Sequence, residues 1–152
     1  VLPLGRFRPV GHTDSEDAFC RLLAAVETWP DGLQDEANWP RLHELLGMVN
    51  RCGKFNCLLS DGESLFCYFD QNRHKGLTWR RFDVETRRTE KFSDNEMKVE
   101  VEGRLPADGV IVATNALSGD GWTPFEPGEL CVFAGGRLRY SSHRAEVVGA
   151  SR

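Results

Sequence analysis

Four consecutive residues, Thr13, Asp14, Ser15 and Glu16, each carry a hydroxyl or a carboxylate, and this is the densest stretch of potential chemistry in the chain. Thr13 and Glu16 have the T-x-x-E spacing of a capping box. In that device the threonine hydroxyl takes the amide of Glu16 while the glutamate carboxylate reaches back to the amide of Thr13. Asp14 is not needed for it. An acid in the first turn is welcome near the positive end of a helix dipole, but the same carboxylate, held on rigid backbone at a helix head, is also well placed to meet an ammonium group.

Other chemistries have weaker support. His12, His43, His74 and His143 lie far apart, with no H-x-x-x-H or H-x-E arrangement, so no metal site is expected. Cys20 or Cys57 could act as a nucleophile with His12 as the nearest base in sequence. Both lie within apolar stretches, and small buried hydrophobes is the better reading. No G-x-G-x-x-G or P-loop run follows a strand, so no nucleotide site and no cofactor are expected. The basic group Arg80, Arg81, Arg87, Arg88 and Lys91 is interleaved with Asp83, Glu85 and Glu90, the pattern of a solvated strand face.

The elements that would position Asp14 follow from periodicity and punctuation. Residues 1–12 contain Pro3, Gly5, Pro9 and Gly11 and read as an extended lead-in. Residues 13–52 read as two helices. The first has Phe19, Leu22, Leu23 and Val26 as an apolar stripe and ends near Trp29, before Pro30-Asp31-Gly32. The second has Pro40 in its first turn, Leu42, Leu45, Leu46 and Val49 on one face, and Gly53 as its C-terminal cap. Residues 54–140 read as antiparallel strands: a hairpin around Asp61-Gly62, then strands at 77–84, 97–103, 109–117 and 129–135, the last returning through Gly135-Gly136. In 97–103, Met97, Val99 and Val101 alternate with Lys98, Glu100 and Glu102, as in a sheet with one wet face. Residues 141–152 are a tail. The class is α+β with an antiparallel sheet, in a single domain over 1–152.

Composition narrows the function classes. With 152 residues, 40% hydrophobic and 28% charged, the chain is long enough for a real core and ordinary for a soluble globular domain. A formal charge of −4 with scattered bases argues against a nucleic-acid partner. The longest apolar runs, 22–26 and 109–113, are too short for a membrane span. No secretory signal is visible, and five cysteines without a C-x-x-C pair favour reduced thiols, so the expected setting is cytoplasmic.

RFRPVGHTDSEDAFCRLLA resembles the T-D-S-E segment of the class II glutamine amidotransferases, the N-terminal-nucleophile hydrolases that take ammonia from glutamine. KFNCLLSDGESLFCYF resembles the family's hairpin, and VIVATNALSGDGWTPFEPGELCVF its closing strand pair. The likeness is to the small, stand-alone bacterial type and runs from about residue 6 to 134. It implies part of a four-layer sandwich, two stacked antiparallel sheets covered by helices. It also implies catalysis by an N-terminal cysteine whose own α-amine is the base, an Asn-Gly oxyanion site and a carboxylate-binding arginine. The family's T-D-S-E aspartate accepts from the substrate's α-ammonium, and Asp14 is its match.

Val1 is not cysteine, no cysteine precedes Cys20, and the chain has no Asn-Gly dipeptide. The resemblance therefore implies that this chain is the C-terminal portion of the family domain, without catalytic residues of its own. Asp14 is the substrate-binding residue, with Thr13 and Glu16 as its structural support. The expected partners are glutamine or a γ-glutamyl small molecule, and either the missing N-terminal half or a second subunit covering the open sheet. Three readings stand: part of a glutamine amidohydrolase or amidotransferase, a non-catalytic glutamine-binding or interaction module on the same scaffold, or an α+β domain in which T-D-S-E only caps a helix.

Overall fold

The computed structural model describes residues 2–81, 90–93, 98–101 and 108–144. They fall into two compact units that meet in sequence between Gly53 and Lys54. Helices make up the first and antiparallel sheets the second, so the fold class is α+β as the sequence indicated.

In the first unit, helix α1 spans Asp14–Val26 and helix α2 spans Trp39–Asn50, with a short 3-10 turn, Glu36–Asn38, leading into α2. Of the expected apolar stripe of α1, Leu22 is buried, Leu23 and Val26 are half-buried and Phe19 faces water. Cys20, Leu22 and Ala24 are buried while Phe19 is 45% exposed. The further burial at Ala24, on the opposite side of the helix from Leu22, comes from the lead-in. Gly5, at φ 56, crosses directly over Ala24, where a Cβ would lie 3.0 Å from the alanine methyl. Arg21 donates to the carbonyl of Leu2, and Arg6 pairs with Glu27, tying the segment down at further points.

Helix α1 stops at Val26 rather than near Trp29, and the amides of Thr28 and Trp29 turn back to Ala25 and Val26 at 3.1 and 3.0 Å. A buried Asn38 knits the linker, its Nδ2 donating to the carbonyls of Pro30 at 2.9 Å and Gly32 at 2.8 Å. Trp39, Leu42, Leu45 and Leu46 are buried on α2 as its periodicity requires, with Pro40 in the first turn. Arg51 is the C-terminal cap, and the carbonyl of Gly53 accepts from Asn50 Nδ2 at 2.9 Å.

In the second unit, strands β1 (Cys57–Ser60), β2 (Ser64–Tyr68), β8 (Leu130–Ala134) and β9 (Arg137–Ser141) form one sheet in the order β1-β2-β8-β9. A second sheet has the order β6-β3-β7, from Val110–Ala113, Thr78–Arg81 and Thr123–Pro124. A further pair, β4 (Glu90–Ser93) with β5 (Lys98–Val101), includes a strand the sequence reading did not contain. All pairings are antiparallel.

Cys67, Phe69, Leu77, Phe125, Cys131 and Phe133 form the core of this unit, with Trp79 set edge-on to Phe133 at 5.1 Å between ring centres. Burial of these side chains, at about 25 cal/mol per Å² of apolar surface, holds the sheets together. Gly135 and Gly136, at φ 55 and 69, close the two-residue β8–β9 hairpin as expected. The β1–β2 turn differs. Ser60 pairs with Leu65, so the loop is longer than a two-residue turn. Gly62 alone supplies positive φ there, while Asp61 works through its side chain, Oδ1 accepting from the amides of Glu63 and Ser64 at 3.0 and 2.7 Å.

Arg87 and Arg88, most of the tail, and the ends of the 77–84 and 97–103 segments lie outside the described residues. Among the described residues no helix is long and apolar enough to cross a membrane.

Candidate functional site

The head of α1 is assembled from the lead-in upward. The amide of Phe7 closes a turn on Leu4 at 3.1 Å, and Arg8 Nη1 returns to the carbonyls of Gly5 and Phe7, both at 2.8 Å. The chain then runs to Thr13, whose extended backbone, φ −85 and ψ 144, makes it the N-cap. Thr13 Oγ1 accepts from the amide of Glu16 at 3.3 Å, and its carbonyl receives the first helical hydrogen bond from Asp17 at 3.2 Å.

The second half of the expected capping box is not what forms. The Glu16 carboxylate reaches past Thr13 to the amides of Val10, at 2.6 Å, and Gly11, at 2.8 Å. Two carboxylate oxygens can satisfy two amides at once, so the curled lead-in offers the side chain a better partner than the single amide of Thr13.

Asp14 opens the helix and is exposed. Its Oδ1 accepts from the amide of Ser15 at 2.8 Å and lies 3.4 Å from the Ser15 hydroxyl. The other acids of the first turn are committed elsewhere. Asp17 takes Arg21 in a two-pronged pair at 2.6 and 3.1 Å, and that hydrogen bond pushes the Arg21 guanidinium above its ordinary pKa against the opposing effect of burial. Glu16 is held by the two amides. Among the described residues no cation is paired with Asp14, which leaves its carboxylate at the positive end of the helix dipole and open to solvent. Such a group can receive an ammonium.

The thiols are not poised for attack. Burial pushes Cys57 up to about 11, and burial with the neighbouring Cys57 pushes Cys67 up to about 12. Cys131 is raised as well, by burial first and then by Glu129. Cys57 keeps part of its surface in contact with water, yet its sulfur is crowded enough for desolvation to dominate. Cys20 is buried in α1, whereas His12 is exposed ahead of it. Among the described residues no three His, Cys, Asp or Glu side chains converge to hold a metal ion.

Two carboxylates that sequence reasoning did not single out anchor the second unit. Asp70 is fully buried, and its oxygens accept from the amides of Phe55 at 2.7 Å, Asn72 at 2.6 Å and His74 at 3.4 Å. Asn56 completes the arrangement. It accepts from the Asp70 amide at 2.9 Å and donates to the carbonyls of His74 and Gly76 at 3.0 and 3.3 Å. Together they hold a loop in which Arg73 and Lys75 sit at φ 62 and 60. Glu129, also fully buried, accepts from Ser141 Oγ at 2.6 Å and the Glu126 amide at 2.8 Å and pairs with Arg144 Nε at 3.2 Å. The only sequence signal for either was an acid placed beside apolar strand residues. Asn56 of the hairpin block and Glu129 of the closing block thus hold up the scaffold, whereas Asp14 is exposed.

Comparison with known proteins places the chain as a whole. The family model "Glutamine amidotransferases class-II" matches residues 2–150. The chain is 34% identical over 150 residues to the uncharacterized protein MJ1515 of Methanocaldococcus jannaschii, covering 94% of this chain and 40% of that one. It is 32% identical over 137 residues to the putative glutamine amidotransferase YafJ of Escherichia coli, covering 87% of this chain and 52% of that one. A crystal structure titled as a predicted glutamine amidotransferase from Pseudomonas aeruginosa superposes with a TM-score of 0.75 at 29% identity, over 92% of this chain and 55% of that chain. The chain therefore spans about half the length of the relatives it matches, or less.

Proposed function

The chain belongs to the class II glutamine amidotransferases, and from that premise we propose that the protein carrying it hydrolyses the side-chain amide of glutamine or of a γ-glutamyl compound. In this reading a cysteine outside the 152 residues is the nucleophile, and the remaining portion of the family's domain, or a second subunit, completes the sandwich. Asp14 binds the substrate's α-ammonium. The observation that carries the reading is the state of that carboxylate: exposed at the head of a capped helix, bonded to Ser15, and with no cation paired to it among the described residues. By itself the 152-residue chain is read as a glutamine-binding scaffold, because Cys57, Cys67 and Cys131 are all driven toward the neutral thiol.

Steady-state release of glutamate from glutamine by the full-length protein tests this. Asp14→Asn keeps the side chain's size and removes its charge. A hydrogen bond to a charged partner contributes about 1.5–3 kcal/mol, so KM should rise roughly 10- to 100-fold, at about 1.4 kcal/mol per factor of ten, with kcat little changed. If Asp14 serves the helix alone, the substitution costs about 0.3–1 kcal/mol of stability and KM stays where it was. That second outcome, or the absence of glutamate release from any γ-glutamyl amide, overturns the proposal.

A further inference from the structure

We propose that Glu16 is the positioning residue for Asp14. Its carboxylate clamps the amides of Val10 and Gly11 and so fixes the backbone from which the substrate-binding acid projects. This rests on the reading of Asp14 given above and extends it to a residue that does not touch substrate.

The lead-in next to the site has little else to hold it. Val10 is 96% exposed, so its side chain anchors nothing. What ties residue 10 in place is its amide, 2.6 Å from Glu16 Oε1, and what ties residue 11 is its amide, 2.8 Å from Glu16 Oε2. Both bonds are charge-assisted and so stronger than neutral ones. The approach is close: a Cβ on Gly11 would lie 2.8 Å from Glu16 Oε2, so the carboxylate would have to shift. Thr13 caps the helix through its hydroxyl alone, which leaves the glutamate free for this second task.

The clamp also separates charges that would otherwise compete. Three acids stand in the first turn, and an ammonium could be drawn to any of them. With Glu16 bound to two amides and Asp17 bound to Arg21, the ligand's positive charge is directed to Asp14. Helix ends fray when their flanking residues are loose. Releasing residues 10–13 would let the first turn open and Asp14 leave the pose that receives the ligand. That is a loss of binding and not of bond-breaking power, so it belongs in KM.

The test uses the full-length protein with glutamine as substrate. Glu16→Gln turns one acceptor oxygen into a donor facing an amide N–H. Gly11→Ala pushes on the same carboxylate without altering the charge of the turn. Each should raise KM about tenfold and leave kcat within about twofold. In the Asp14→Asn background neither should raise KM further, because both act through that residue. An equal rise in that background, or an unchanged KM in the single variants, overturns the clamp while leaving Asp14 standing. An unchanged KM in Asp14→Asn itself overturns both. Should the variants fail to fold, hydrogen exchange of the unmodified protein decides: the amides of Val10 and Gly11 must be protected, and free exchange at both sinks the proposal.

Discussion

Asp70→Asn is the sharpest test of how the second unit is held together. In the native side chain Oδ1 serves the amides of Asn72 and His74, and Oδ2 serves that of Phe55, at 2.6, 3.4 and 2.7 Å. Asparagine can keep its oxygen toward the first two. Its nitrogen then faces the Phe55 N–H, donor to donor, at a position buried from water on the Asp70 side. The lost bond to a charged acceptor costs about 1.5–3 kcal/mol, and exchanging a charged for a neutral acceptor on the other side costs roughly 0.5–1 kcal/mol more. The sum is about 2–4 kcal/mol.

Relaxation of the loop would recover part of this cost. Arg73 and Lys75 stand in the left-handed region at φ 62 and 60, a conformation that costs about 1–2 kcal/mol for each non-glycine residue and persists only while the anchor enforces it. Equilibrium urea unfolding of the full-length protein gives the stability change, and hydrogen exchange at Phe55 locates it. A loss below about 0.5 kcal/mol, with the Phe55 amide as protected as before, would show that the carboxylate is not what holds the loop.

Gly136→Ala should destabilise by more than about 2 kcal/mol in the same urea assay, because residue 136 is at φ 69 and a Cβ there would collide with the backbone carbonyl of Asp108. Gly135→Ala, at φ 55 with open space around its Cβ, should cost only about 1 kcal/mol. Brief alkylation of the native protein at pH 8, read by peptide mass spectrometry, should modify exposed Cys52 and leave Cys57, Cys67 and Cys131 intact. The same thiols predict alkaline destabilisation. Their ordinary pKa is 9.0 and the folded values for Cys57 and Cys67 are about 11 and 12, so above pH 9 the unfolded chain loses protons that the folded one keeps. Stability is complete below pH 9 and falls as pH rises toward 11 and 12, by up to about 1.4 kcal/mol per pH unit for each thiol. Cys67→Ala should flatten that slope in urea titrations from pH 8 to 11.

Features fixed by a few adjacent residues could be read from the sequence. Thr13 was recognisable as an N-cap because its hydroxyl needs only the amide three residues on. Gly135-Gly136 declared its hairpin because two positive φ angles in succession are what glycine permits. The burial of α2 followed from its leucine spacing. The strand Glu90–Ser93 escaped notice because EKFS has almost no apolar alternation and takes its conformation from pairing with Lys98–Val101.

What the sequence determined by itself, then, was the α+β class, the start of each helix, the tight β8–β9 turn and the family. Each of these depends on neighbours within a few positions or on a motif printed in the chain. Only the tertiary structure decided that α1 is buried on a second side as well, where the lead-in crosses Ala24, and that Phe19 is left in water. It also decided that Glu16 grips Val10 and Gly11, that Asp70 collects amides from Phe55 to His74, and that Glu129 meets Ser141 and Arg144. A carboxylate's partner is whichever donor the folded chain brings within hydrogen-bond reach, and spacing along the chain does not fix that distance.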